Sequence, residues 1–182
     1  VALVISFPSN PTAQLCDLDF YKELVAFAKK HSLWLLSDLA YAEIYFNGTP
    51  PPSILQVHGA KDVAVEFTSL SKTFSMPGWR IGFAVGNQRL IDALTRIKSY
   101  LDYGAFTPIQ VAAATALNGK TDCIDQIRNI YRNRRDTLID SMKRVGWTIP
   151  SPPATMFAWA PLPAKFKEIG SMAFSKILLQ EA

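Results

Sequence analysis

Val1-Ala-Leu-Val-Ile-Ser-Phe7, the span Asp17 to His31, and Leu33-Trp-Leu-Leu36 together decide the fold. The first is a continuous apolar, β-branched run of the kind that forms a strand buried on both faces. Asn10-Pro11 marks a turn after it, and Asp17 is placed to cap a helix carrying Phe20, Leu24, Phe27 and Ala28 along one face. That helix ends near His31, and Leu33 to Leu36 supplies a second short strand. Strand, helix and strand within about 36 residues is the spacing of a right-handed parallel crossover, which makes the class α/β.

Downstream, the turn-rich Asn47-Gly-Thr-Pro-Pro-Pro-Ser53 leads through a short helical piece to a third strand, Val63 to Phe67. The polar run Thr68 to Thr73 follows, and then a strand over Arg80 to Gly86. A parallel neighbour needs a crossover of a dozen or more residues, for which there is no room, so the fourth strand is expected antiparallel to the third. Helical patterns cover Gln88 to Tyr100, and Thr107 to Leu117 with Pro108 in the first turn and Gly119 as the stop. A longer helix, Asp122 to Val145, keeps three-four spacing through Ile124, Ile127, Tyr131, Leu138, Met142 and Val145. Thr155 to Ala160 alternates as a half-buried strand would. The expected architecture is a mostly parallel sheet flanked by helices over residues 1–120. A long connecting helix and the start of a smaller α+β domain should occupy residues 121–182.

Composition narrows the function classes. Of 182 residues, 49% are hydrophobic and 19% charged, enough apolar surface to offset ordering entropy and to exclude disorder. No apolar stretch approaches the roughly 20 residues of a membrane-spanning helix, so a soluble, cytoplasmic protein with no membrane partner is expected. Cys16 and Cys123 lack metal-ligand spacing, and His31 and His58 have no nucleophile beside them; neither a metal site nor a Ser/His/Asp arrangement is expected. Net charge is +4, but Arg128 to Arg135 is flanked by Asp125 and Asp136, a solvated helix face and not a nucleic-acid surface. The chain opens inside a core strand without Met and stops inside a helical pattern at Leu178-Leu-Gln-Glu-Ala182, which leads us to expect a central fragment of a longer protein.

In open α/β sheets, ligands sit outside the carboxyl ends of the strands. Ser9-Asn-Pro-Thr12 follows the first strand, Ser37-Asp-Leu-Ala-Tyr41 the second and Thr68-Ser-Leu-Ser-Lys-Thr73 the third. An antiparallel fourth strand adds Arg80 at the same edge. This inventory suits a phosphorylated aromatic aldehyde. Arg80, Ser69 and Ser71 can donate to phosphate oxygens, and Lys72 can form an imine with a carbonyl. Asp38 can hold a pyridine nitrogen protonated, as an electron-sink ring requires. Tyr41 and Asn10 are left for a ring hydroxyl.

Ser9-Asn-Pro-Thr12, Ser37-Asp-Leu-Ala-Tyr-Ala-Glu43 and Ser69-Leu-Ser-Lys-Thr-Phe-Ser-Met-Pro-Gly-Trp-Arg-Ile-Gly-Phe83 resemble the pyridoxal-phosphate-dependent class I/II aminotransferases of fold type I. Within that family, Ile97 to Gln110 is most similar to bacterial alanine transaminases of the glutamate-pyruvate type, near relatives of LL-diaminopimelate aminotransferase. The resemblance implies pyridoxal 5'-phosphate as cofactor and transfer of an amino group from L-alanine to 2-oxoglutarate through a Lys72 Schiff base. It implies Lys72, Asp38 and Tyr41 as catalytic residues. It further implies Asn10, Asp38, Tyr41, Ser69, Ser71, Lys72 and Arg80 as cofactor-binding residues, no metal, amino-acid and 2-oxo-acid substrates, and a homodimer; Tyr103 approaches this site or a partner's, or only packs. Trp79 and Gly78 are expected to be structural. The family's N-terminal phosphate turn, ring-stacking aromatic and carboxylate-binding arginine are not among these residues, so the fragment alone is expected to be inactive. LL-diaminopimelate or aromatic transamination, a carbon-sulfur lyase, and the effector domain of a transcription regulator remain as alternatives.

Overall fold

The computed structural model describes residues 1–181. Four strands, β1 (Ala2–Ser6), β2 (Trp34–Asp38), β3 (Ala64–Ser69) and β4 (Gly82–Gly86), form one sheet in the order β1-β2-β3-β4. The first three are parallel and β4 runs against β3, as the short connection requires. Backbone pairing sets Ser6 beside Asp38, Asp38 beside Phe67 and Ser69 beside Gly82, so all the strand ends of interest share one edge. Gly82 and Gly86 allow the close approach of β4, since a Cβ there would collide with the carbonyl oxygens of Thr68 and Ala64.

Helix α1 (Leu18–Lys30) crosses between β1 and β2. The Asp17 side chain caps it by accepting a hydrogen bond of 2.8 Å from the Phe20 amide. Its buried face is Tyr21, Val25 and Ala28, packed with Leu35, Ile54, Ala60 and Ala64. Phe20 and Phe27, expected on that face, are exposed; the covered stripe is rotated because the sheet meets α1 at the i, i+4, i+7 positions starting from Tyr21. The expectation that β1 is buried on both faces is also corrected. Leu3 and Ile5 pack on the core, whereas Val4, 74% exposed, lies with Leu36 and Phe67 on a face that α1 does not cover.

After the four-residue α2 (Leu70–Thr73) and β4 come α3 (Gln88–Leu101), α4 (Thr107–Asn118), α5 (Asp122–Arg144) and α6 (Gly170–Glu181). No residue of α5 is buried, so its three-four apolar spacing does not make a core face. Two arginines join it instead to the segment that follows β2. Arg128, its side chain 13% exposed, bonds the Glu43 carboxylate and carbonyl, each at 2.9 Å, and stacks 4.0 Å from the Tyr45 ring centroid. Arg135 stacks 4.5 Å from the Phe46 centroid and donates to the Pro152 carbonyl. Thr155 to Ala160 is not a strand. Only Ala154 makes a bridge, to Tyr45, and Thr155 adopts a φ of 66°, which breaks the extended alternation. No helix among the described residues is long and apolar enough to cross a membrane.

Two outcomes follow from this packing. The Tyr21 hydroxyl is buried without a hydrogen-bond partner, and burial, then the neighbouring Cys16, pushes its titration far above the ordinary value. The folded state therefore keeps a proton that an unfolded tyrosine releases near pH 10; stability is intact below about pH 10 and declines above it. Tyr21→Phe should raise stability by about 1 kcal/mol at neutral pH and flatten that alkaline decline, read by thermal melts at both pH values. Arg128→Ala should cost about 1 to 2 kcal/mol by the same melts, while Arg134→Ala, an exposed residue with one aromatic contact, should change little.

Candidate active site

The edge where β1, β2 and β3 end collects the polar side chains. Asp38 is the last residue of β2, and its carboxylate accepts from the Ala40 amide at 3.0 Å. This local turn bends the chain off the strand and brings Tyr41 inward, where it is 7% exposed. Asn10, beyond β1, donates to the Tyr41 hydroxyl at 3.5 Å. Past β3, Ser69 starts α2 by accepting from the Ser71 amide at 3.2 Å. That single turn presents Lys72, whose ammonium lies 5.8 Å from the centroid of the Tyr41 ring. Asn10, Tyr41 and Lys72, from three separate strand ends, thus form one chain of contacts.

A depression of about 320 Å³ opens beside them, lined by Val4, Leu36, Asp38, Ala40, Phe67, Thr68 and Ser69. Its floor is apolar and its rim carries a carboxylate and a hydroxyl, a shape and chemistry for a flat, partly polar ring. Of the expected cofactor residues only Asp38 and Ser69 line it; Asn10, Tyr41, Ser71, Lys72 and Arg80 do not. Ser71 is buried, and the exposed Arg80 turns its guanidinium onto the Pro77 carbonyl at 2.8 Å, in a left-handed backbone conformation with φ 51°. Arg80 is still held next to the Ser69 turn, because Ile81 accepts from the Leu70 amide at 3.2 Å. Among the described residues neither Lys72 nor Arg80 has a carboxylate within ion-pair distance. The donor set therefore fits pyridoxal phosphate: an amine for the aldehyde, a carboxylate for the ring nitrogen, an amide and a phenol for the ring hydroxyl, and hydroxyls with a guanidinium for the phosphate. Burial, then the negative charge of Asp38, raises the Tyr41 phenol above its ordinary value, and the Asn10 donor pulls weakly the other way.

Sequence reasoning missed two neighbours of Tyr41. The Phe157 ring stands edge-on to it at 5.4 Å between centroids, and Tyr131 of α5 is close enough to act on its titration. Neither carries a local signal, since both looked like members of ordinary apolar patterns. The left-handed Thr155 redirects the chain, and its hydroxyl accepts from the Phe157 amide at 3.2 Å. Of the residues expected at the periphery, Tyr103 is 91% exposed on the loop between α3 and α4, and Trp79 is also exposed. A Cβ at Gly78 would meet nothing, so no steric need accounts for that glycine.

Relatives share this stretch. The chain is 64% identical over 182 residues to a putative aminotransferase AatC of Rhizobium meliloti, covering all of the chain and 45% of that protein. It is 51% identical over 180 residues to the glutamate-pyruvate aminotransferase AlaC of Escherichia coli, covering 99% of the chain and 44% of AlaC. To LL-diaminopimelate aminotransferase 2 of Trichormus variabilis it is 44% identical over 179 residues, 98% of the chain and 45% of that protein. The solved structure of an aminotransferase from Staphylococcus aureus superposes with a TM-score of 0.91 at 31% identity, over 99% of this chain and 47% of that one. The chain thus spans less than half the length of these relatives. A family profile described as "Aminotransferase class I and II" matches residues 1–182, the whole chain. Matched over its full length, the chain belongs to the class I and II aminotransferases, which use pyridoxal 5'-phosphate.

Proposed function

We propose that the protein containing this chain transfers the amino group of L-alanine to 2-oxoglutarate, giving pyruvate and L-glutamate. The observation that carries the reading is the contact chain of Asn10, Tyr41 and Lys72 beside Asp38 at one sheet edge. The 51% identity to a glutamate-pyruvate aminotransferase supports the choice of substrates. Relatives named as LL-diaminopimelate aminotransferases, at 41 to 45% identity, support a second reading in which that diamino acid is the donor.

When bound, pyridoxal phosphate supplies an aldehyde that takes up amino groups and a ring that draws electrons from the substrate α-carbon. Lys72 offers the amine that holds the aldehyde and, once released, moves a proton at the α-carbon. Asp38 accepts from the ring nitrogen, and its charge keeps that nitrogen protonated. Tyr41 stays a neutral donor because burial and Asp38 disfavour its phenolate; with Asn10 it holds the ring hydroxyl. Ser69, Ser71 and Arg80 donate to the phosphate, for which Arg80 exchanges its Pro77 contact.

The same reading includes a homodimer and a cytoplasmic location. Tyr100, Leu101, Tyr103 and Phe106 form an exposed apolar group at the junction of α3 and α4, and this supports a partner surface there. It also includes a division of the chain at residue 120, just ahead of α5, between the cofactor-binding part and the start of a smaller domain.

Full-length protein should turn over L-alanine with 2-oxoglutarate faster than LL-diaminopimelate or aromatic amino acids; the reverse order in steady-state assays would replace the substrate and keep the chemistry. Lys72→Ala should abolish the absorbance of the covalent lysine–cofactor linkage and lower turnover by at least ~10² to 10⁴. An unchanged spectrum in that variant would remove Lys72 from the mechanism. Asp38→Ala should keep part of the cofactor through the phosphate contacts and lose most turnover, measured as bound cofactor against kcat.

A further inference from the structure

Glu66 is a buried carboxylate, 4% exposed, that the reaction described above does not use. It sits on the sheet face turned towards α1, opposite the depression that Phe67 lines, because neighbouring residues of a strand point to opposite faces. Burying a carboxylate is costly unless donors meet it. Three donors do. The Ser37 hydroxyl lies at 3.2 Å, the Ile54 amide at 3.1 Å and the Ser53 hydroxyl at 2.6 Å. Ser53 in turn accepts from the Leu55 amide at 3.1 Å, so one carboxylate ties β2, β3 and the turn Ile54–Gln56 together.

The position of this tie matters more than its number of bonds. Ser37 pairs with Glu66 in the sheet register, and the next rung is Asp38 with Phe67. Beyond it the Leu39 amide makes one more bond to the Phe67 carbonyl at 2.9 Å before the strands diverge into the Tyr41 and Lys72 turns. The side-chain contact of Ser37 with Glu66 thus lies one rung from Asp38, close to where the two strands part. We propose that Glu66 is a positioning residue that acts through Ser37 to hold Asp38 at its working distance from the Lys72 turn. The proposal rests on the reading of this edge as the pyridoxal-phosphate site. Glu66 touches neither the depression nor the reacting groups, so its influence passes through the backbone of β2.

The test uses full-length protein carrying Ser37→Ala, Glu66→Gln or both. It reads the thermal midpoint without cofactor, the dissociation constant for pyridoxal phosphate, the pH midpoint of the bound cofactor's absorbance, and kcat and KM separately. Ser37→Ala should keep the dissociation constant and KM within about threefold while lowering kcat by about tenfold, the pattern of a small displacement at the reacting centre. The absorbance midpoint should move by about half a pH unit or more, since Asp38 governs the ring nitrogen. Glu66→Gln, which keeps side-chain volume, should act in the same direction. The double variant should be no worse than the poorer single one, because both cut the same link. A lower thermal midpoint with unchanged kcat and absorbance midpoint would overturn the proposal and leave Glu66 a structural group only. Absence of bound absorbance in the unaltered protein would sink the cofactor reading itself, and the proposal with it.

Discussion

Hydrogen bonding between β2 and β3 is the constraint on which the site depends. Their parallel register fixes Asp38 against Phe67, and β4 is added with Gly82 against Ser69. Parallel strands bring their carboxyl ends to a common edge, while an antiparallel neighbour begins where its partner finishes. Residues far apart in the chain, Asn10, Asp38, Lys72 and Arg80, are therefore delivered to one place without any long-range attraction among their side chains. Chemistry at this edge tolerates polar and charged groups because the backbone ladder, and not those groups, supplies the cohesion.

Around that edge, three kinds of support act at increasing distance. Local turns come first: Asp38 bonds Ala40, and Ser69 caps the turn of Lys72, so each strand end is bent by a side chain of its own. Behind the sheet, the Glu66 carboxylate satisfies donors from two other segments in a place where each would be expensive to leave unpaired. Further out, α5 reaches the segment after β2 through Arg128 and Arg135, whose planar guanidiniums stack on Tyr45 and Phe46 while bonding to carboxylate or carbonyl oxygens. A lysine could supply the charge but not the stacked fork.

Strain enters at a buried residue beyond α5. Thr155 is β-branched and holds a φ of 66°, a conformation that costs of the order of 1 to 3 kcal/mol. Its amide bonds the Ile44 carbonyl at 2.8 Å and its hydroxyl accepts from Phe157, which offset that cost and aim the Phe157 ring at Tyr41. The aromatic neighbour that sequence periodicity assigned to a strand is thus held against Tyr41 by a backbone state that periodicity does not register.

Much of the fold, and the sheet edge of the candidate site, were legible in the sequence, and for a common reason. Apolar runs, caps and turn residues act within a few positions, so Asp17, Gly119 and the short link between β3 and β4 carried their meaning locally, and polar clusters after successive strands marked the candidate edge before any distance was known. What only the tertiary structure decided depends on which surfaces meet. The covered stripe of α1 runs through Tyr21 and Val25 and not through Phe20 and Phe27, β1 is covered on one face, and α5 is fastened by arginines and not by its apolar row. Phe157 beside Tyr41, and Glu66 beside Ser37, arise from contacts across 116 and 29 positions respectively. No local pattern encodes such pairs, because an aromatic ring or a carboxylate acquires its role only from the neighbour that folding brings to it.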